Sequence, residues 1–139
     1  MSDTAAEAPV RAQPSFTLGF VKLVVRDLDR MLDFYCKVLG LALTQTVDTP
    51  EMTEKILMKP GQTGGASLIL YWNKDGREVA VGSGHGPLGL YVRDVDAAYA
   101  HAVANGAGAH RPPWDSGNLR VAFVLDPEGR EIELVSVRR

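Results

Sequence analysis

The chain has 139 residues, 45% of them hydrophobic and 23% charged, with a formal net charge of −2. That length suits one domain. A balanced charge with no lysine/arginine block speaks against nucleic acid or an anionic membrane as the main partner. With a single cysteine, Cys36, no intrachain disulfide can form, which fits a reducing, cytoplasmic compartment.

Residues 1–15 are rich in Ala and Pro and have no apolar periodicity. They carry no signal-peptide core, and no stretch reaches the ~20 apolar residues of a membrane span. They are read as a disordered tail ahead of one domain at 16–139. The branched run Leu18–Val25 predicts a strand. Asp27 is placed to cap a helix whose apolar face is Leu28, Met31, Leu32, Tyr35 and Leu39, with Gly40 as its stop. Cys36 falls inside this helix and reads as a small buried hydrophobe. Strands follow at Leu41–Val47, Lys55–Met58 and Ala66–Trp72, each closed by Gly, Pro or Asn turn residues.

After the linker GSGHG at 82–86 the pattern restarts. Leu88–Val92 predicts a strand, Asp94 a cap, and the alanine-rich run from Val95 to Asn105 a helix stopped by Gly106. Ala109–Arg111 reads as a short strand ended by Pro112-Pro113. Leu119–Leu125, the turn Asp126-Pro-Glu-Gly129 and Glu131–Val137 complete the chain. Val25-Arg-Asp-Leu-Asp29 and Val92-Arg-Asp-Val-Asp96 repeat at an offset of 67 residues, in the same strand–cap–helix setting. The expected fold is α+β: two β-α-β-β-β repeats, at about 16–80 and 84–139, whose curved sheets face a cleft.

The segment FVKLVVRDLDRMLDFYCKVLGL and the ending VAFVLDPEGREIELV resemble the corresponding parts of the glyoxalase/bleomycin-resistance/extradiol dioxygenase superfamily, also called vicinal oxygen chelate proteins. The resemblance spans residues 18–137. In metal-dependent members, four positions around the cavity hold one divalent ion, which acts as a Lewis acid toward substrate oxygens. Carried over, those positions fall on Phe20, Ile69, Pro87 and Glu133. Only Glu133 offers a metal-binding side chain. His85, two residues before Pro87, is a further weak candidate. It reads either as a solvated linker residue or, if its strand extends, as a cavity residue near Glu133. The resemblance also implies pairing of half-barrels in a homodimer. The arginine that glyoxalase I enzymes use four residues after the first metal ligand is replaced here by Val24.

Strand alternation places further side chains on the cavity wall. They are Lys22 and Val24, Ser67 and Tyr71, Gly89 and Tyr91, Val121 and Phe123, and Glu131 and Val135. The wall is thus mostly apolar and aromatic. Lys22, alone among apolar neighbours, is expected to pair with Glu133 or Glu131 or to face solvent on an edge strand. Trp114, read as lying in a loop, is either a lid anchor or a surface staple. Trp72 should point away from the cavity. The expected function is binding of a small organic molecule without a cofactor, with Glu133 and Lys22 anchoring its polar groups. The alternative is a lyase or isomerase, like lactoylglutathione lyase, in which Glu133 abstracts a proton next to a carbonyl. A divalent Zn, Ni or Mn ion would accompany the alternative.

Overall fold

A computed structural model describes residues 13–138. The proposed tail largely lies outside these residues. Strand β1 (Phe20–Val24) leads into helix α1 (Leu28–Asp33), and then β2 (Ala42–Asp48), β3 (Met52–Met58) and β4 (Ser67–Asn73) follow. The second half repeats this order: β5 (Leu88–Tyr91), helix α2 (Val95–Ala104), β6 (Gly108–Ser116), β7 (Leu119–Leu125) and β8 (Glu131–Val137). Each half forms its own four-stranded mixed sheet, ordered β1-β4-β3-β2 and β5-β8-β7-β6. The two-copy α+β architecture expected from the repeat is what the chain adopts.

Both helices begin as the repeat predicts. The Asp27 and Asp94 carboxylates accept from the backbone N–H groups of Arg30 and Ala97, each at 3.1 Å. These bonds satisfy donors the first turn leaves free. The first helix does not stay α throughout. Phe34–Val38 forms a π-helical turn, and Gly40, at φ +79°, ends it.

Alternate residues of each sheet pack against the helices. Leu57, Leu68 and Leu70 join Met31, Phe34 and Tyr35 in one core, continuous with Ala122, Val124, Ile132, Leu134, Val95 and Ala102. Trp72 packs against this core, away from the opposite sheet face. The intervening residues form that opposite face, which carries the candidate site residues.

The two halves are joined by a buried polar staple. Arg130, 6% exposed, lies at 3.1 Å from Glu128 and 3.4 Å from Asp126 and donates to the Val24 carbonyl of β1. The Glu128 carboxylate accepts from the backbone N–H groups of Arg26 and Asp27 at 2.8–3.0 Å. The Tyr35 hydroxyl donates to Asp126 at 2.8 Å. The Asp-Pro-Glu-Gly turn therefore does more than reverse the chain, because its acids hold the second half onto the start of the first helix. Burial of the ring, reinforced by the Asp126 charge, pushes the Tyr35 hydroxyl well above the usual phenol range.

Several strand bounds shift by one or two residues from expectation, and two differ by more. Strand β3 starts at Met52, which brings Thr53 and Glu54 into the sheet. Strand β6 runs on to Ser116, through Pro112-Pro113. It is an edge strand, and its pairing with β7 shifts register between Ala109 and Arg111 and again between Arg111 and Trp114. Bulges at an edge are where prolines, lacking an N–H, are tolerated. Trp114 accordingly sits in a strand, not in a loop.

Candidate functional site

The strand registers arrange the outer faces of the two sheets in matching rows. In the first sheet Lys22 pairs with Ile69, Ile69 with Ile56, and Ile56 with Gln45. In the second sheet Gly89 pairs with Glu133, Glu133 with Phe123, and Phe123 with Arg111. The next rows are Val24–Tyr71–Glu54–Val47 and Tyr91–Val135–Val121–Trp114. Ile69 and Glu133 thus hold equivalent places in the two halves. Ile69 is buried at 5% exposure, whereas Glu133 is half-buried.

The first half carries one acid on this face, Glu54, and the second carries two, Glu131 and Glu133, and their surroundings differ. In the first sheet the acid is Glu54, buried at 7% exposure. The Lys22 ammonium lies against its Oε2 as an ion pair. Among the described residues this ion pair is the contact that compensates the buried oxygen. Lys22 is also bracketed by the rings of Phe20 and Tyr71, whose centroids lie 5.5 and 5.2 Å from Nζ. The expected pairing of Lys22 with Glu133 or Glu131 does not form. The partner is Glu54, which lies on the same sheet and is therefore within reach.

In the second sheet Glu133 has no hydrogen-bond or ion-pair partner for its side chain among the described residues. Glu131, on the same strand, is exposed and meets His110 Nε2 at 3.1 Å. The Trp114 ring stacks on Phe123, with centroids 5.9 Å apart and planes at 19°. Arg111 lays its guanidinium over the Trp114 ring at 4.1 Å and near Phe123 at 5.5 Å.

The other predicted residues are placed as follows. Ser67 is half-buried beside Phe20, and Tyr91 is 86% exposed. His85 is exposed in the linker, with Nδ1 at 2.9 Å from the Gly86 carbonyl oxygen. A cavity of about 460 Å³ lies at the seam between β1, β5 and the linker, and Lys22, His85, Pro87 and Glu131 contribute to its wall.

Sequence reasoning passed over Glu54 and Arg111. Glu54 precedes the apolar run from which β3 was read, and Arg111 precedes two prolines that looked like a strand stop. A signal for Glu54 existed in the alternation Met52, Glu54, Ile56, Met58.

A divalent metal is a poor fit to this donor set. Phe20, Ile69 and Pro87 present only carbon, and the described residues contain no group of three or more His, Cys, Asp or Glu side chains placed to share an ion.

Comparison with known proteins agrees with the fold. Residues 17–134 match the family model described as "Glyoxalase/Bleomycin resistance protein/Dioxygenase superfamily". A lactoylglutathione lyase of Escherichia coli O157:H7 is 33% identical over 117 residues, covering 81% of this chain and 87% of that protein. A lactoylglutathione lyase of Haemophilus influenzae is 32% identical, with the same coverage. Among solved structures, the trypanothione-dependent glyoxalase I of Leishmania major superposes with a TM-score of 0.77 at 26% identity, over 88% of this chain and 87% of that one. Glyoxalase I of Zea mays superposes at 0.79 with 24% identity, over 88% of this chain and 45% of that one, a likeness of fold alone. The chain belongs to the glyoxalase/bleomycin resistance protein/dioxygenase superfamily.

Proposed function

We propose that this chain is a metal-independent, small-molecule-binding member of its family, taking a flat, partly apolar organic ligand on the aromatic outer faces of its sheets. What supports this reading is that the four positions the family resemblance assigns to a metal hold Phe20, Ile69, Pro87 and Glu133, of which only Glu133 has a donor side chain. Phe20, Tyr71, Phe123 and Trp114 supply aromatic surface, and Lys22 and Glu133 supply polar anchors. The protein acts in the cytoplasm. No helix among the described residues is long and apolar enough to cross a membrane.

The cleft is completed by a second copy of the chain. Phe20 is 54%, Val24 40% and Tyr91 86% exposed on the faces that would line it. Such a set of apolar and aromatic side chains is commonly covered at an interface.

Metal analysis of the purified protein after incubation with Zn²⁺, Ni²⁺ or Mn²⁺ tests the reading, together with thermal shift against aromatic metabolites. The expected result is substoichiometric metal and ligand stabilisation without turnover. Stoichiometric metal that Glu133→Ala removes would overturn it.

A second reading, a lyase or isomerase, is favoured by the half-buried Glu133 carboxylate, which has no side-chain partner among the described residues and sits beside the Phe123 ring. The named lyase relatives favour it too. A carboxylate so placed can take a proton from carbon next to a carbonyl. Thioester formation from methylglyoxal and glutathione, lost in Glu133→Gln, would establish it.

A further inference from the structure

Arg111 is an exposed residue of β6 whose guanidinium lies over the Trp114 ring. Its side chain forms no ion pair or hydrogen bond among the described residues. Arg120, on the neighbouring strand, is by contrast held by Asp96 at 2.9 Å and Asp115 at 3.2 Å. Stacking on Trp114 at 4.1 Å orients the Arg111 plane without consuming its N–H groups. The bulges on either side of Arg111 turn this edge of β6 onto the same face as Phe123. Glu131, the other acid of this face on β8, is taken up by His110.

Arg111 and Glu133 lie in the same row, with Phe123 between them. Two strand spacings separate their backbones by about 10 Å. A flat molecule lying along this row beside Phe123 would therefore meet a forked cation at one end and a carboxylate at the other. A guanidinium of this kind matches a carboxylate through two parallel N–H···O bonds. A carboxylate such as Glu133 accepts from a hydroxyl or amine.

We propose that Arg111 is the specificity-determining residue of the site, selecting ligands with a carboxylate at one end and a hydrogen-bond donor at the other end of a flat apolar body. This rests on the reading of the sheet face as a small-molecule site and adds the chemical class. Lys22 serves this purpose poorly, because Glu54 already compensates its charge.

The test uses isothermal titration of the full chain with 4-hydroxyphenylacetate and with its neutral amide, 4-hydroxyphenylacetamide. The wild type is expected to prefer the carboxylate by about tenfold or more, the scale of a charge-assisted pair. Arg111→Gln should abolish the preference through a large loss of carboxylate affinity, with a smaller loss for the amide, whose carbonyl oxygen accepts from the same guanidinium. Arg111→Lys should restore it only in part, because a lysine lacks the planar fork. Coincident thermal unfolding of wild type and variants confirms that the fold is intact. A carboxylate preference that survives in Arg111→Gln, or binding of the amide with no preference in the wild type, overturns the proposal and leaves the binding reading standing. Failure of both probes, and of a wider aromatic panel, overturns the two together.

Discussion

Replacing Arg130 by Met removes the cation that holds the two halves of the chain in register. In the folded protein its side chain is 7% exposed, and it faces the Asp126 and Glu128 carboxylates, 0% and 5% exposed. Breaking a buried pair from one side leaves charge without compensation, and typical losses are about 3–5 kcal/mol. The lower end applies here, because the acids keep other donors. Asp126 still accepts from Tyr35 and from the backbone N–H groups of Glu128 and Arg130, and Glu128 from those of Arg26 and Asp27. For a chain of this length, about 3 kcal/mol corresponds to a fall in Tm of roughly 10 °C. Urea unfolding followed by tryptophan fluorescence measures it. Trp72 lies in the first half and Trp114 in the second, so Trp72→Phe and Trp114→Phe backgrounds report each half separately. Coincident midpoints are expected in the parent and separated ones in Arg130→Met. Arg77→Met, which breaks the exposed pair with Asp75, should leave both midpoints in place. A loss below about 1 kcal/mol in Arg130→Met would refute the staple as the element that fixes the halves.

Three further outcomes are expected. Tyr35 resists ionisation in the folded state, so its contribution to stability is complete below the ordinary phenol value of 10.0 and falls as pH rises beyond it. Tyr35→Phe should remove that alkaline decline without changing the tyrosinate absorbance that appears before unfolding. Lys22→Met leaves Glu54, with its side chain 9% exposed, uncompensated. A loss of about 1–3 kcal/mol in urea unfolding is expected, largely recovered in the Lys22→Met/Glu54→Met pair, and additivity of the two changes would contradict the pairing. Tyr91→Lys places charge on the exposed ring position of β5 and should convert a wild-type dimer to monomer in sedimentation equilibrium. A wild-type monomer, or an unaffected dimer, would remove the second copy from the site.

Much of the site was legible because strands alternate. Once β1, β4, β5, β7 and β8 were located, the side of each residue followed from parity. Lys22, Ile69, Tyr71, Phe123 and Glu133 lie on the predicted face for that reason. What a side chain touches across the face depends on register and reach, which parity does not contain. Lys22 looked like a partner for Glu133 because the two are prominent charges in similar strands. It meets Glu54 because both lie on one sheet, in neighbouring rows. Pro112-Pro113 looked like a strand end because proline lacks a donor. Only the position of β6 at the sheet edge shows why the strand continues and where it delivers Arg111 and Trp114.

The sequence by itself determined the two-copy fold, since repeated caps and apolar periods are local and survive without knowledge of packing. It also showed that, of the four positions the family resemblance assigns to a metal, Phe20, Ile69 and Pro87 have no donor side chain. The tertiary structure alone decided which charges are spent and which have no partner among the described residues. Lys22 is spent on Glu54, and Arg130 on Asp126 and Glu128. Arg111 and Glu133 remain on either side of Phe123. Ion pairing depends on separations of a few ångströms between residues far apart in the chain, and only folding sets those separations.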